Sequence, residues 1–249
     1  MKIILPKFEY VTPISDGGIL ELQRIERMAR ICYKSEDRIT EDGESAKKMV
    51  EMLIKKEHEA MIEHSSISII FTTDRGVSHE LVRHRLCSYA QESTRWCDYS
   101  NDTKFEGGLT FVLPHEFAKW FMEHDNDVFS KFMGLANIDV DVAWATYSSE
   151  MECPHGFMPW LSSLSMSELD YLSMRRDNCT PQLARSVLLN SLKTEIGLTT
   201  NYRELRNILK LRTAPDAHPD IRSLFNELLK DLRSKIPLIF DDIPIAQDI

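Results

Sequence analysis

Two stretches of this chain alternate apolar and polar residues with a period of two. Ser66–Thr73 carries Ile67, Ile69 and Phe71 on one face, and Lys193–Thr200 carries Ile196 and Leu198. That period marks half-buried strands. They are far apart in the chain, so no hairpin joins them, and most of what lies around them has a helical period. Gly18–Tyr33 places Ile19, Leu22, Ile25, Met28, Ala29 and Cys32 on one stripe, and Glu44–Glu57 does the same with Met49, Met52 and Leu53. Helices are also predicted over Glu116–Met133, Val140–Met151, Met166–Arg176 and Tyr202–Leu211. Another starts at Thr180-Pro181, a cap followed by proline in the first turn. Pro219 opens a last long helix that Pro237 closes. Short strands are predicted over Lys2–Leu5 and Leu109–Leu113. Asp74-Arg75-Gly76 turns into a short helix ending near His84 or Arg85, and a loop continues to about Asn101. A few strands among many helices must share one core, which makes the fold α+β: helix-rich with a small, mostly antiparallel sheet. No repeat or polar linker divides the chain, so one domain is expected over residues 1–249.

Composition narrows the function. The formal net charge of -9 disfavours nucleic acid and anionic membranes as partners. Apolar runs such as Ile67–Phe71 fall well short of the roughly 18 residues of a membrane span, and the N-terminal run stops at Pro6, too soon for a signal-peptide core. Five cysteines, irregularly spaced and without a Cys-x-x-Cys pair, point to a reduced, cytoplasmic protein without structural zinc. Against this acidic background Arg83, His84, Arg85 and Arg95 stand close together. Such a cluster suits a pocket for small anions, such as phosphates, better than a broad nucleic-acid face.

The cluster has a definite pattern: Arg83-His84-Arg85, seven residues, then Ser93-Thr94-Arg95. Two guanidiniums and an imidazole at a helix end make poor core material, and a returning loop with a hydroxyl and another arginine offers a phosphate several charge-assisted donors. Helical spacing would put His84 beside Val77 and Leu81, and Arg83 beside Glu80. The plain alternative is a solvated basic turn paired with nearby acids. Downstream, Asn201, Arg203 and Asn207 form a polar edge opposite Leu205 and Leu209. Arg185 is expected to point away from a stripe of Leu183, Ala184, Val187 and Leu188. Periodicity alone also allows an ordinary wet helix face. His58-Glu59-Ala60-Met61-Ile62 breaks the zinc-protease pattern at Ile62 and the inverted form at Ala60, so no metal site is expected. Cys153-Pro154-His155 could suggest a cysteine nucleophile but reads as a loop. No Gly-x-Gly-x-x-Gly occurs, so the Rossmann dinucleotide fingerprint is absent.

Arg-His-Arg, seven residues and Ser is the signature that resembles the flavin-dependent thymidylate synthases. A chance match to five fixed residues, Arg95 included, is on the order of one in ten thousand chains of this length. His58–His64 upstream, and Ala184-Arg185, Asn201-Tyr202-Arg203, Asn207, Leu211-Arg212 and His218 downstream, are similar to the same family, in the same order. The resemblance spans about Lys2–Ile239 and is weakest over 152–178, which reads as a family-variable insertion. It implies reductive methylation of dUMP to dTMP, with FAD as cofactor, NADPH as reductant and methylenetetrahydrofolate as carbon donor, in a homotetramer. It further implies that Ala60, Arg83, His84, Arg85, Gln91, Asn201, Arg203 and Asn207 hold FAD. For dUMP it implies Gln91, Glu92, Ser93, Thr94 and Arg95, with Glu80, Arg83, Arg185 and Arg212 from neighbouring subunits. Arg212 would be catalytic, stabilising the ionised N3 of uracil, since an arginine cannot act as a base at neutral pH. Ser93 has no activating histidine or lysine in its own segment, so a phosphate-binding hydroxyl is the simpler role. Glu80, Gln91, Ala60 and Trp96 depart from the family's more common glutamine, glutamate, Ser or Thr, and tyrosine. None of these departures removes an anion-binding charge. The alternative is a flavin- or nucleotide-binding protein without synthase activity. A nucleic-acid module is disfavoured by acidity and by the lack of interleaved aromatics around Arg83.

Overall fold

The computed structural model describes residues 1–101, 108–124 and 153–245. The helix predicted over Val140–Met151 and the end of that over Glu116–Met133 lie outside the described residues. Two compact units emerge, each built from separated pieces of chain. The first comprises Met1–Lys7, Thr72–Leu81 and Gln91–Ile196, and the second Phe8–Phe71, Val82–Ala90 and Gly197–Ile249.

In the first unit, strand β1 (Lys2–Ile4) pairs in parallel with the strand over Thr110–Val112, an exception to the expected antiparallel pairing. A long helix over Phe157–Arg176 packs its inner face into this unit's core, where Phe157, Leu161, Leu164 and Tyr171 join Ile3, Phe111 and Phe121. The helix begins nine residues earlier than its sequence pattern suggests. Ser167 takes one of the inward positions and donates its hydroxyl to the Val187 carbonyl (2.8 Å). Residues Cys153 to Gly156 form the loop and turn before it.

The second unit holds helices α1 (Ile19–Tyr33) and α2 (Glu44–Lys55), then a 3-10 helix over Glu59–His64. Gly18 caps α1 at φ 67, a conformation that strains other residues, and a Cβ there would lie 2.7 Å from Ile236. A four-stranded sheet orders as β2 (Lys7–Tyr10), β3 (Ser66–Asp74), the strand over Lys193–Asn201, and β4 (Ser88–Gln91). Helix α3 (Arg75–Leu81) lies between β3 and β4 in the chain. In chain order after β4, β5 is Thr110–Val112, α4 His115–His124, α5 Phe157–Arg176, α6 Pro181–Ala184 and β6 Lys193–Asn201. Then come α7 (Tyr202–Arg212), α8 (Pro219–Lys235) and α9 (Pro237–Phe240).

Three further expectations change. α3 stops at Leu81, so His84 and Arg85 lie beyond it in a loop. The region to Asn101 contains β4, a short polar strand adjoining β6. The helix from Pro181 lasts four residues before a 3-10 turn over Arg185–Val187; only Ala184 of the expected stripe is buried, and Leu183 is exposed. Pro237 ends α8 as expected and also opens α9, because proline is tolerated in a first helical turn.

Helix α7 is anchored from within. Tyr202, Leu205, Ile208 and Leu209 are buried, and so is Arg206, at 1% exposure. Its guanidinium meets Asp242 through two bonds of 2.6 Å and Glu59 at 3.1 Å, and also donates to the Ile239 carbonyl. A buried guanidinium needs such partners. Here they fix Glu59 at the edge of a cleft.

Candidate active site

The cleft lies in the second unit and measures about 560 Å³, within the range of small-ligand sites. Glu59 and Glu63 of the 3-10 helix, Leu86, and Asn201, Arg203, Glu204, Asn207 and Lys210 of α7 and its cap line it. The amide–arginine edge read from the sequence therefore lines a cleft, with Arg203 and Asn207 still open to solvent. Asn201 accepts from the Glu204 amide at 2.8 Å as the N-cap of α7. That use of its oxygen leaves its NH2 as the donor for a ligand. Arg203 is paired with Glu63, but both side chains are about half exposed, at 51% and 44%. Such a pair is screened by solvent and weak, so an anionic ligand can displace Glu63. Ala60 is exposed on the same 3-10 helix.

The Arg-His-Arg loop borders this cleft through Leu86. Arg83 and Arg85 are exposed, whereas His84 is buried at 7% exposure. Arg212 Nε donates to His84 Nε2 at 3.0 Å, and a Glu204 carboxylate oxygen lies 3.7 Å from Nδ1. Tyr89 donates its hydroxyl to the His84 carbonyl (3.0 Å), and Cys87 reaches Thr200 at 3.3 Å, tying the loop to β6. Burial, with the Arg212 charge adding to it, lowers the His84 pKa to about 4. The imidazole is thus neutral at pH 7 and anchors the loop while both flanking arginines stay in solvent. The expected neighbours of His84 on a continued α3 are replaced by Arg212 and Glu204 of α7.

The first unit gathers a second group. Gln91 donates to Ser78 (2.8 Å) and Thr194 (3.2 Å). Glu92 accepts from Tyr99 (2.7 Å) and Lys193 (2.8 Å), so its carboxylate is already compensated. The Ser93 hydroxyl accepts from the Arg95 amide at 3.3 Å, and its carbonyl receives the amides of Trp96 and Cys97. Thr94 is buried and accepts from Arg185 at 3.4 Å, so these two predicted substrate residues do meet. Arg95 is exposed, and Glu80 is half-buried on α3. The turn is held at its far end by Arg175, which makes two bonds to Asp98 (3.0 and 2.6 Å) and keeps the Asp98 pKa at about 2. Arg83 and Arg212 belong to the other unit.

Five lining residues escaped sequence reading: Glu59, Glu63, Leu86, Glu204 and Lys210. Only Glu204 carried a signal, as the third residue after a capping Asn.

An α+β fold that sets Arg203, Lys210 and two amides in a polar cleft, in a sequence without Gly-x-Gly-x-x-Gly, suits a nucleotide ligand held without a Rossmann fingerprint. The family described as thymidylate synthase complementing protein matches residues 21–238, and the chain belongs to that family. It is similar to the flavin-dependent thymidylate synthases of Mycobacterium tuberculosis, at 30% identity over 244 residues, and Mycolicibacterium gilvum, at 28% over 242. Both alignments cover 97% of this chain and 85% of the relative. The UMP/dUMP methylase PolB from Streptomyces cacaoi bound with 5-Br dUMP shares the fold, with a TM-score of 0.66 and 19% identity over 97% of this chain and 96% of that one. Thymidylate synthase X from Helicobacter pylori, with FAD and dUMP, has a TM-score of 0.64 and 18% identity, covering 96% and 99% respectively.

Proposed function

We propose that this chain is a flavin-dependent thymidylate synthase that methylates dUMP to dTMP as a cytoplasmic homotetramer, with methylenetetrahydrofolate as carbon donor and NADPH as reductant. The observation that carries the reading is Arg212 held by the buried, neutral His84 in a loop whose Arg83 and Arg85 remain exposed beside a polar cleft. The cleft's donors fit a dinucleotide: Arg203 for phosphate, and Asn201, Asn207 and the carboxylates for hydroxyl and amino groups. Arg83, His84, Arg85, Asn201, Arg203 and Asn207 would hold FAD, with Ala60 and Gln91 at its margins. When bound and reduced, FAD supplies the reducing equivalents that turn a methylene carbon into a methyl group.

The chain's own residues do the rest. Gln91, Ser93, Thr94 and Arg95, with Arg83 and Arg185 from neighbouring subunits, would bind the dUMP phosphate and sugar, and Glu92 and a neighbouring subunit's Glu80 would meet hydroxyls or arginines there. Arg212 would stabilise the negative charge of ionised N3, which activates C5 of the ring. Its Nε is committed to His84, which sets the plane of the guanidinium. Preorganised charge of this kind acts without reorganising during the reaction.

The test is dTMP formation by yellow, FAD-containing protein supplied with dUMP, methylenetetrahydrofolate and NADPH. Arg212→Lys keeps the charge and loses the planar fork, so kcat should fall by about 10²-fold or more while FAD stays bound. Activity should recover in part at higher pH, where solvent ionises N3 unaided. A colourless protein that takes up no FAD overturns the proposal. Wild-type kcat in Arg212→Lys at neutral pH removes Arg212 from the mechanism.

A further inference from the structure

We infer that Glu204 is a positioning residue that fixes the tautomer of His84 and through it aims Arg212; the inference rests on the reading of Arg212 as the group that meets uracil N3. A guanidinium Nε–H can only donate, so the 3.0 Å contact requires His84 Nε2 to carry a lone pair. In a neutral imidazole the proton then sits on Nδ1, the atom facing the Glu204 carboxylate at 3.7 Å.

Glu204 is unusual for its place. A glutamate three residues after a helix cap ordinarily reaches back to the cap amide or into water. Here the side chain turns inward and is buried at 8% exposure, with Asn207 Nδ2 at 3.4 Å from both carboxylate oxygens. Burial weakens solvent screening, so the carboxylate favours a proton on Nδ1 more than an exposed glutamate could. The opposite tautomer would set an Nε2–H against the Arg212 Nε–H, donor to donor, and this bond between His84 and Arg212 would be lost. Two further titratable groups flank the loop: Tyr89 bonds the His84 carbonyl, not a ring nitrogen, and Cys87 bonds Thr200. Glu204, His84 and Arg212 thus form a relay of orientation from the cleft wall to the residue proposed for catalysis.

The test reads the tautomer directly, without substrate. Magic-angle-spinning nitrogen-15 spectra of histidine-labelled holoenzyme resolve Nδ1–H from Nε2–H forms, and a His84→Gln spectrum identifies its signal among the eight histidines. Wild type should show His84 as the Nδ1–H tautomer. Glu204→Met, similar in volume but without a carboxylate, should shift it towards Nε2–H and lower kcat by about tenfold or more, the scale of one lost hydrogen bond to a charged group. Glu204→Gln keeps an acceptor and should restore both the tautomer and most of kcat. Should Glu204→Met lose the fold, Glu204→Asp withdraws the carboxylate by one methylene and should give a mixed tautomer. An Nε2–H tautomer in wild type, or an unchanged Nδ1–H tautomer in the folded Met variant, overturns the proposal. A tautomer that switches while kcat holds overturns the link from His84 to Arg212. If Arg212→Lys itself keeps wild-type kcat, it is the reading of Arg212 that fails.

Discussion

A histidine buried beside an arginine must stay neutral to stay buried, and that ties the stability of this protein to pH. The folded His84 pKa of about 4 lies below its ordinary 6.5. As pH falls through that window the unfolded chain takes up a proton that the folded chain refuses. Stability is therefore lost progressively between pH 6.5 and 4, and the full contribution is present above pH 6.5. Between pH 7 and pH 5 wild type should lose about 1 to 2 kcal/mol more than His84→Gln in urea denaturation. Equal losses would mean that His84 is free to protonate in the folded state. Ser93 poses a different question at the same scale. Its hydroxyl accepts from the Arg95 amide and so can still donate to a phosphate oxygen. Ser93→Ala should weaken dUMP binding by about 1 to 2 kcal/mol and still turn over at saturating dUMP. Equilibrium binding and kcat, measured together, separate this from a covalent role, in which turnover would vanish at unchanged affinity.

The start of α7 joins an element's stability to its chemistry. Asn201 caps the helix through its oxygen and lines the cleft, so Asn201→Ala removes a cap worth about 1 kcal/mol together with the amide. Asn201→Ser keeps a capping oxygen and loses only the NH2. Thermal unfolding should find the Ser variant near wild type and the Ala variant destabilised, while FAD titration finds both weakened. A Ser variant that binds FAD normally would leave Asn201 as a cap alone. Elements such as α7 were legible because a long period survives in the sequence: α1, α2, β3 and β6 lie within a residue or two of the positions their apolar spacing indicates. β4 was not, because Ser88, Tyr89, Ala90 and Gln91 carry no apolar alternation and pair only because β6 lies alongside. The start of α5 was hidden by Pro159, which reads as a helix breaker but is tolerated in a first turn, and α6 passes into a 3-10 turn after four residues despite a good start signal. The same division holds in the site. Arg203 and Asn207 were readable as i, i+4 neighbours, whereas the meeting of His84 with Arg212 and Glu204 depends on segments far apart in the chain.

At the scale of the whole molecule, the residues proposed for dUMP fall into two groups. Gln91–Arg95 and Arg185 belong to one compact unit, together with Glu80, and Arg83 and Arg212 to the other. Within each unit the local bonds are made: Thr94 with Arg185, and His84 with Arg212. If the working enzyme is a homotetramer whose sites are shared between subunits, a chain carrying Arg95→Ala and a chain carrying Arg212→Ala each ruin a different half of the site. Alone, each variant should be nearly inactive, because each has lost one cation that meets substrate. Unfolded together and refolded as mixed oligomers, they should regain activity, since some sites then draw Arg95 from one chain and Arg212 from another. Random assortment restores about a quarter of the sites of a closed symmetric assembly. Light scattering would show whether the active species contains four chains of 28.9 kDa. Mixed oligomers of that size without recovered turnover would place Arg95 and Arg212 in the same subunit's site, and a monomeric active species would remove the shared site altogether.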